Sequence, residues 1–274
     1  MPVALITGCS SGFGEAIASA FASEGYEVVA TMRNPDNAPE SLKAIAAETP
    51  DSFVLAPLDV TDAASRQAAV DLTVKRFGQI DVLINNAGIG ARGSLEDTPE
   101  ALWRKMFETN LFGPIELIRL VLPLMREQGA GRILNVTSVA ALLKTPFMGA
   151  YCGSKHALDA ATIALDTETR SFGVRAVCVM PGPFKTSLPA NSLDREASEP
   201  YAKIAATFNS TFDGMEAHAP EDFTPVVEAA LAAAHDADPD MRYPAGTEPV
   251  KILPPILEAL APLRKIGLHL TGQD

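Results

Sequence analysis

A short apolar run, Val3-Ala4-Leu5-Ile6-Thr7, stops at a glycine-rich segment, Gly8-Cys9-Ser10-Ser11-Gly12-Phe13-Gly14, which passes straight into a helical pattern from Glu15 to Ser23. A run that is apolar without alternation suits a strand buried on both faces, the kind found in parallel sheets covered by helices. Glycines between such a strand and a helix allow a tight turn. They also let the backbone approach a pyrophosphate, whose charge sits at the helix N-terminus. Few other architectures tolerate this order of elements.

The pattern then repeats. Further strands are expected at Tyr26–Thr31, Ser52–Leu58, Asp81–Ile84, Gly131–Val136 and Val174–Met180, with a last short one at Met241–Pro244. Helical periodicity fills Asp62–Phe77, Pro99–Gln128, Ala150–Phe172 and Glu221–His235. Alternating strands and helices predict an α/β chain with a Rossmann-type, doubly wound parallel sheet, and no internal repeat or linker divides residues 1–274. Ligands of such sheets bind beyond the strand C-termini. Gly8, Asn86, Ser138 and Pro181 all follow strand ends, so they are expected along one edge. Within Pro99–Gln128, Asn110 sits among Phe107, Leu111 and Phe112, where it either caps a kink or bonds something specific; Gly113-Pro114 favours a kink. Residues 184–219 read as irregular and rich in Ser, Thr and Pro, a candidate substrate-covering segment of loop or helices. Residues 245–274 form an extension, apolar and proline-interrupted from Val250 to Leu270, which packs on the core, lines the pocket or meets a second subunit.

Charge narrows the partners. The net charge is −12, with no run of Lys or Arg, which argues against nucleic acid and anionic membrane surfaces. Cys9, Cys152 and Cys178 are far apart, and His156, His218, His235 and His269 lack metal-ligand spacing, so neither a disulfide scaffold nor a metal site is expected. No apolar stretch is long enough to span a bilayer. A reducing, cytoplasmic location is the expectation.

Cofactor choice is read at the end of the second strand. An acidic residue there binds a ribose 2′-hydroxyl, whereas an arginine accommodates a 2′-phosphate. The sequence reads Ala30-Thr31-Met32-Arg33-Asn34, with no acid and with Arg33, Ser10 and Asn34 available to a phosphate, so NADP(H) is favoured over NAD(H). At the fourth strand end, Asn85-Asn86-Ala87-Gly88 suits either a loop that fixes a ligand or a turn held by its own amides.

The chemistry is expected at Tyr151-Cys152-Gly153-Ser154-Lys155. Residues four apart share a helix face, which turns the Tyr151 hydroxyl and the Lys155 ammonium into one space. A phenol titrates near pH ~10, and a nearby cation lowers that value toward the range useful for acid–base catalysis. Cys152, His156 and Trp103 read as packing or surface residues, and Cys9 lacks a base that would make it a nucleophile.

Taken in order over about Val3 to Ser187, these motifs strongly resemble the short-chain dehydrogenase/reductase family. The resemblance assigns the cofactor turn to Gly8, Ser10, Ser11, Gly12, Phe13 and Gly14, and an adenine contact to Asp59 and Val60. It assigns a sheet-edge motif to Asn86, Ala87 and Gly88, and a nicotinamide-side loop to Pro181, Gly182 and Thr186. It implies a tetrad of Asn110, Ser138, Tyr151 and Lys155. In it Tyr151 is the general acid–base, Ser138 binds the substrate oxygen and Lys155 lowers the Tyr151 pKa and bonds the nicotinamide ribose. Asn110 holds a water that links Lys155 to solvent. Leu142, Leu143, Phe147, Met148, Phe184 and Leu188 are expected around the substrate, which makes it an apolar ketone, aldehyde or alcohol. An NAD-dependent oxidising enzyme and an idle NADP(H)-binding sensor or scaffold are the alternatives. Relatives imply a homodimer or homotetramer built on the Pro99–Gln128 and Ala150–Phe172 helices.

Overall fold

The computed structural model describes residues 1–186, 193–246, 251, 253–256 and 258. Seven parallel strands form one sheet in the order β3-β2-β1-β4-β5-β6-β7. They are β1 (Val3–Ile6), β2 (Glu27–Met32), β3 (Phe53–Pro57), β4 (Val82–Asn85), β5 (Gly131–Val136), β6 (Val174–Pro181) and β7 (Arg242–Ala245). The helices are α1 (Gly12–Ser23), α2 (Glu40–Glu48), α3 (Ala63–Phe77), α4 (Glu100–Phe107), α5 (Gly113–Gln128), α6 (Gly149–Thr169), α7 (Glu199–Ala217) and α8 (Thr224–His235). The expected strands all form, and the doubly wound parallel sheet is the observed fold.

Strand periodicity builds the layers. In β1, Ala4 and Ile6 face a core with Ile17 and Phe21 of α1, Leu42 of α2 and Val226 and Ala230 of α8. Leu5 points the other way, toward Val70 of α3 and Leu117, Val121 and Met125 of α5. The sheet is therefore buried on both sides, which accounts for strands that are apolar throughout. Truncating a fully buried side chain such as Phe21 to alanine is expected to cost about 3–5 kcal/mol.

Two elements depart from the sequence reading. Helix α2 lies in a stretch where no helix was expected, and Leu42 is its one fully buried anchor. Residues 184–219, expected to be irregular, contain the long helix α7, which buries Ala205. The kink near Asn110 is a π-helical turn, Glu108–Phe112, in which the Gly113 amide reaches back to the Glu108 carbonyl. Gly113 packs against Val60 so closely that a Cβ there would lie 2.8 Å from the Val60 carbonyl oxygen. Most of the 245–274 extension lies outside the described residues.

β1 leads into β2 on one side and is flanked by β4 on the other. The strand order reverses between β1 and β4, which opens a crevice beyond their C-terminal ends.

Candidate active site

At that crevice the loop after β4 clamps the turn after β1. Asn86 Nδ2 donates to the carbonyls of Thr7 and Gly8 at 2.9 and 3.1 Å. The Thr7 hydroxyl accepts from the backbone amides of Asn86 and Ala87, both at 3.0 Å. Gly8 has φ +73°, and a Cβ on it would sit 2.7 Å from Ala87 Cα. A Cβ on Gly14 would meet the Gly8 carbonyl and the Asn86 amide. These glycines are demanded by backbone-to-backbone packing. The turn reading of the Asn86 loop is the one observed, a structural clamp that shapes the crevice.

Ser11 precedes α1 without capping it through its side chain, so first-turn amides of α1 stand at the crevice mouth. The cleft there has a volume of about 740 Å³ and is lined by Gly8, Ser10, Ser11, Gly12, Phe13, Arg33, Asp59, Val60, Asn86, Ala87, Gly88, Tyr151, Lys155 and Thr186. Helix-end amides, glycines, an arginine and amides at a parallel-sheet switch point suit a dinucleotide in size and in polarity. Asn34 is placed elsewhere: its Oδ1 accepts from the Asp36 amide at 3.0 Å and caps a short turn. Burial pushes the Asp59 carboxyl up, but hydrogen bonds from Thr61 and the charges of Arg33 and Arg66 hold it below its usual value.

A second cleft, of about 360 Å³, shares Phe13, Thr137, Tyr151 and Thr186 with the first. Ser138, Phe184, Pro181 and Gly182 line it, the last two on this side and not in the larger cleft. So do Leu143 and Met148, but Leu142 instead packs toward Ala141, Cys178, Met180 and Leu253. Phe147 stands behind the wall, with its ring 5.4 Å from that of Phe208. Leu188 lies outside the described residues. The sequence reading missed Phe208, Phe212 and Met215 of α7. Their spacing of four and three residues was a visible helical stripe.

Where the clefts meet, the four tetrad positions are brought together. The Tyr151 phenol and the Ser138 hydroxyl line the same cleft, close enough for Ser138 to favour the phenolate, and Lys155, one helical turn on, has its Nζ 6.0 Å from the Tyr151 ring centre. Lys155 donates to the Val136 carbonyl at 2.8 Å. Asn110 is fully buried; its Nδ2 donates to the Ile89 carbonyl at 2.9 Å and to Ser154 Oγ at 3.0 Å, and its Oδ1 accepts from the Ile89 amide at 2.9 Å. Its side chain therefore joins the loop after β4 to the helix of Tyr151.

Electrostatics differ from the expectation. Burial raises the Tyr151 pKa, and the counteracting influence is the Ser138 hydroxyl, not Lys155. Burial likewise lowers Lys155 to about 8. Burial disfavours the charged form of each group, so it moves the two values in opposite directions.

The short chain dehydrogenase family model matches residues 2–197. The chain belongs to the short-chain dehydrogenase/reductase family. It is similar to the uncharacterized oxidoreductase YusZ of Bacillus subtilis, at 35% identity over 89% of each chain. It is also 34% identical to a 3-ketodihydrosphingosine reductase of Bacteroides thetaiotaomicron, over 69% of this chain and 66% of that one. Among solved structures, a short-chain dehydrogenase from Streptomyces avermitilis superposes with a TM-score of 0.82 at 32% identity, covering 100% of this chain and 98% of the other. As a member of this family the chain is an NAD(P)-dependent oxidoreductase acting on CH–OH groups. Among the described residues, no helix is long and apolar enough to cross a membrane, and no cluster of three or more His, Cys, Asp or Glu could hold a metal ion.

Proposed function

We propose that this protein is an NADP(H)-dependent carbonyl reductase, or alcohol dehydrogenase in the reverse direction, for apolar ketones or aldehydes. The observation that carries the reading is the second cleft, whose wall of Phe13, Leu143, Met148, Phe184, Phe208 and Phe212 opens onto the Ser138 and Tyr151 hydroxyls. Such a cavity rewards apolar surface and offers hydrogen bonds at one end only.

In reduction, the carbonyl oxygen accepts hydrogen bonds from Ser138 and Tyr151, and Tyr151 delivers a proton to it. NADPH bound in the larger cleft supplies the hydride. The Lys155 ammonium stabilises the phenolate left on Tyr151, and low polarity around the pair strengthens that attraction. Asn110 holds the Ile89 loop against the helix of Tyr151, and we assign proton exchange with solvent to a water held beside Asn110 and Lys155. Arg33, Ser10 and Ser11 bind the 2′-phosphate end; the absence of an acid at the end of β2 supports this choice. Helix α7 covers the substrate. The same reading includes a homo-oligomer paired through α4, α5 and α6, and a monomeric sedimentation profile would refute that part.

The test is NADPH consumption against a panel of apolar ketones, run beside Tyr151→Phe and an NADH control. Turnover that requires NADPH and the phenol supports the reading. A preferred substrate that is small and anionic overturns it.

A further inference from the structure

The second cleft is apolar except at its α7 side. Among its described lining residues only Arg92 and Glu216 carry charge. Arg92 is already neutralised: its Nε lies 2.7 Å from Asp194 Oδ2 and its Nη1 2.6 Å from Asp213 Oδ1. One guanidinium thus meets two carboxylates, and its plane sits over the Phe212 ring at 5.3 Å. The Glu216 carboxylate makes no hydrogen bond or ion pair among the described residues, while its backbone carbonyl accepts from the Ala219 amide at 3.1 Å. It feels Arg92 only at a distance, and burial raises its pKa.

Phe208, Phe212 and Glu216 are spaced four apart on α7, so the helix turns two aromatic rings and then a carboxylate toward one cavity. The Phe208 and Phe212 rings stand 5.5 Å apart. A half-buried carboxylate beside aromatic faces is the chemistry that selects a cation, through a charge-assisted hydrogen bond and ring quadrupoles together. An anionic group would meet three carboxylates against one arginine. Ser138 and Tyr151, where the carbonyl is reduced, line the same cavity.

We propose that Glu216 is a specificity-determining residue that binds a primary ammonium group borne by an apolar carbonyl substrate, remote from the carbonyl. The inference rests on the reductase reading above for the position of the carbonyl, but not for the ammonium site itself.

The experiment uses the full chain, wild type and Glu216→Gln, whose matching unfolding temperatures establish that both are folded. Activity is read on a homologous series of straight-chain methyl ketones and on the same ketones carrying a terminal amine or hydroxyl. Binding of the matching alkylammonium ions, which have no carbonyl, is read by calorimetry. The expected result is that the amine-to-methyl ratio of kcat/KM falls about tenfold in Glu216→Gln relative to wild type. An unchanged ratio overturns the proposal, as does a terminal hydroxyl serving as well as the amine. Alkylammonium binding lost in Glu216→Gln, with no ketone reduced by wild type, supports the ammonium site and overturns the reductase reading instead.

Discussion

Asp159 and Arg242 form a two-pronged ion pair, with Arg242 Nε 2.8 Å from Oδ1 and Nη2 2.7 Å from Oδ2, one helical turn beyond Lys155 on α6. The pair bolts the helix of Tyr151 to the last strand of the sheet. Its side chains are only 7% and 15% exposed, so solvent screens it weakly. Breaking such a pair leaves an uncompensated buried charge, at a cost of about 3–5 kcal/mol. We therefore expect Arg242→Met and Asp159→Asn each to lose that order of unfolding free energy in urea titrations. The double variant should recover most of it, because both charges are then gone. Single variants within ~1 kcal/mol of wild type would show that water reaches the pair.

Arg33 lines the larger cleft and is exposed, with no ion pair to a described residue. If it binds a 2′-phosphate, Arg33→Ala removes a charge-assisted contact worth about 1.5–3 kcal/mol. NADPH affinity should fall at least about tenfold while NADH affinity stays within about twofold, read by fluorescence titration of each nucleotide. Equal losses for both would sink the NADP(H) assignment.

The sheet and the crevice were legible because strands buried on both faces are continuous apolar runs, and because each ends at a residue that cannot prolong it. Gly8, Asn86 and Ser138 marked those ends. What stayed hidden depended on contacts between distant segments. Asp159 and Arg242 are 83 residues apart, and nothing local pairs them. Asn34 looked available to a phosphate, yet an Asx-type cap claims its side chain, a competition between local and ligand bonds that composition does not reveal. The raised Tyr151 pKa is of the same kind: spacing put Lys155 beside it, but burial outweighs that proximity. Helix α7 was obscured by its Ser, Thr and Asn content, although Phe208, Phe212 and Met215 carried a helical stripe.

That stripe gives the cleft its outer wall, and it can be removed without touching the tetrad. Phe212→Ala should raise KM for apolar ketones about tenfold, the scale of withdrawing one aromatic contact of about 1.5 kcal/mol, with kcat less affected. Phe208→Ala should act similarly and also free Phe147, whose ring it supports. Steady-state kinetics on a bulky ketone, with a small one as control, provide the check. An unchanged KM would place the substrate away from α7.

Lys155 supplies the pH dependence, because burial brings its pKa from 10.5 down to about 8. Below about 8 both the folded and the unfolded chain carry the ammonium, and the folded state bears the full penalty of burying it. Between about 8 and 10.5 the unfolded chain still holds a proton that the folded chain has shed, so this group makes stability rise with pH. The difference between the two values corresponds to about 3 kcal/mol at most. Lys155→Met never carries the charge and should show no such rise, so wild type should gain stability relative to the variant as the pH climbs through that window in paired urea titrations. Catalysis should move in the opposite direction. On the proposed mechanism the ammonium that stabilises the Tyr151 phenolate is lost above about pH 8, so kcat/KM for ketone reduction should decline there. A flat rate profile, together with a stability difference independent of pH, would mean that Lys155 keeps its proton throughout and that burial perturbs it far less than its surroundings imply.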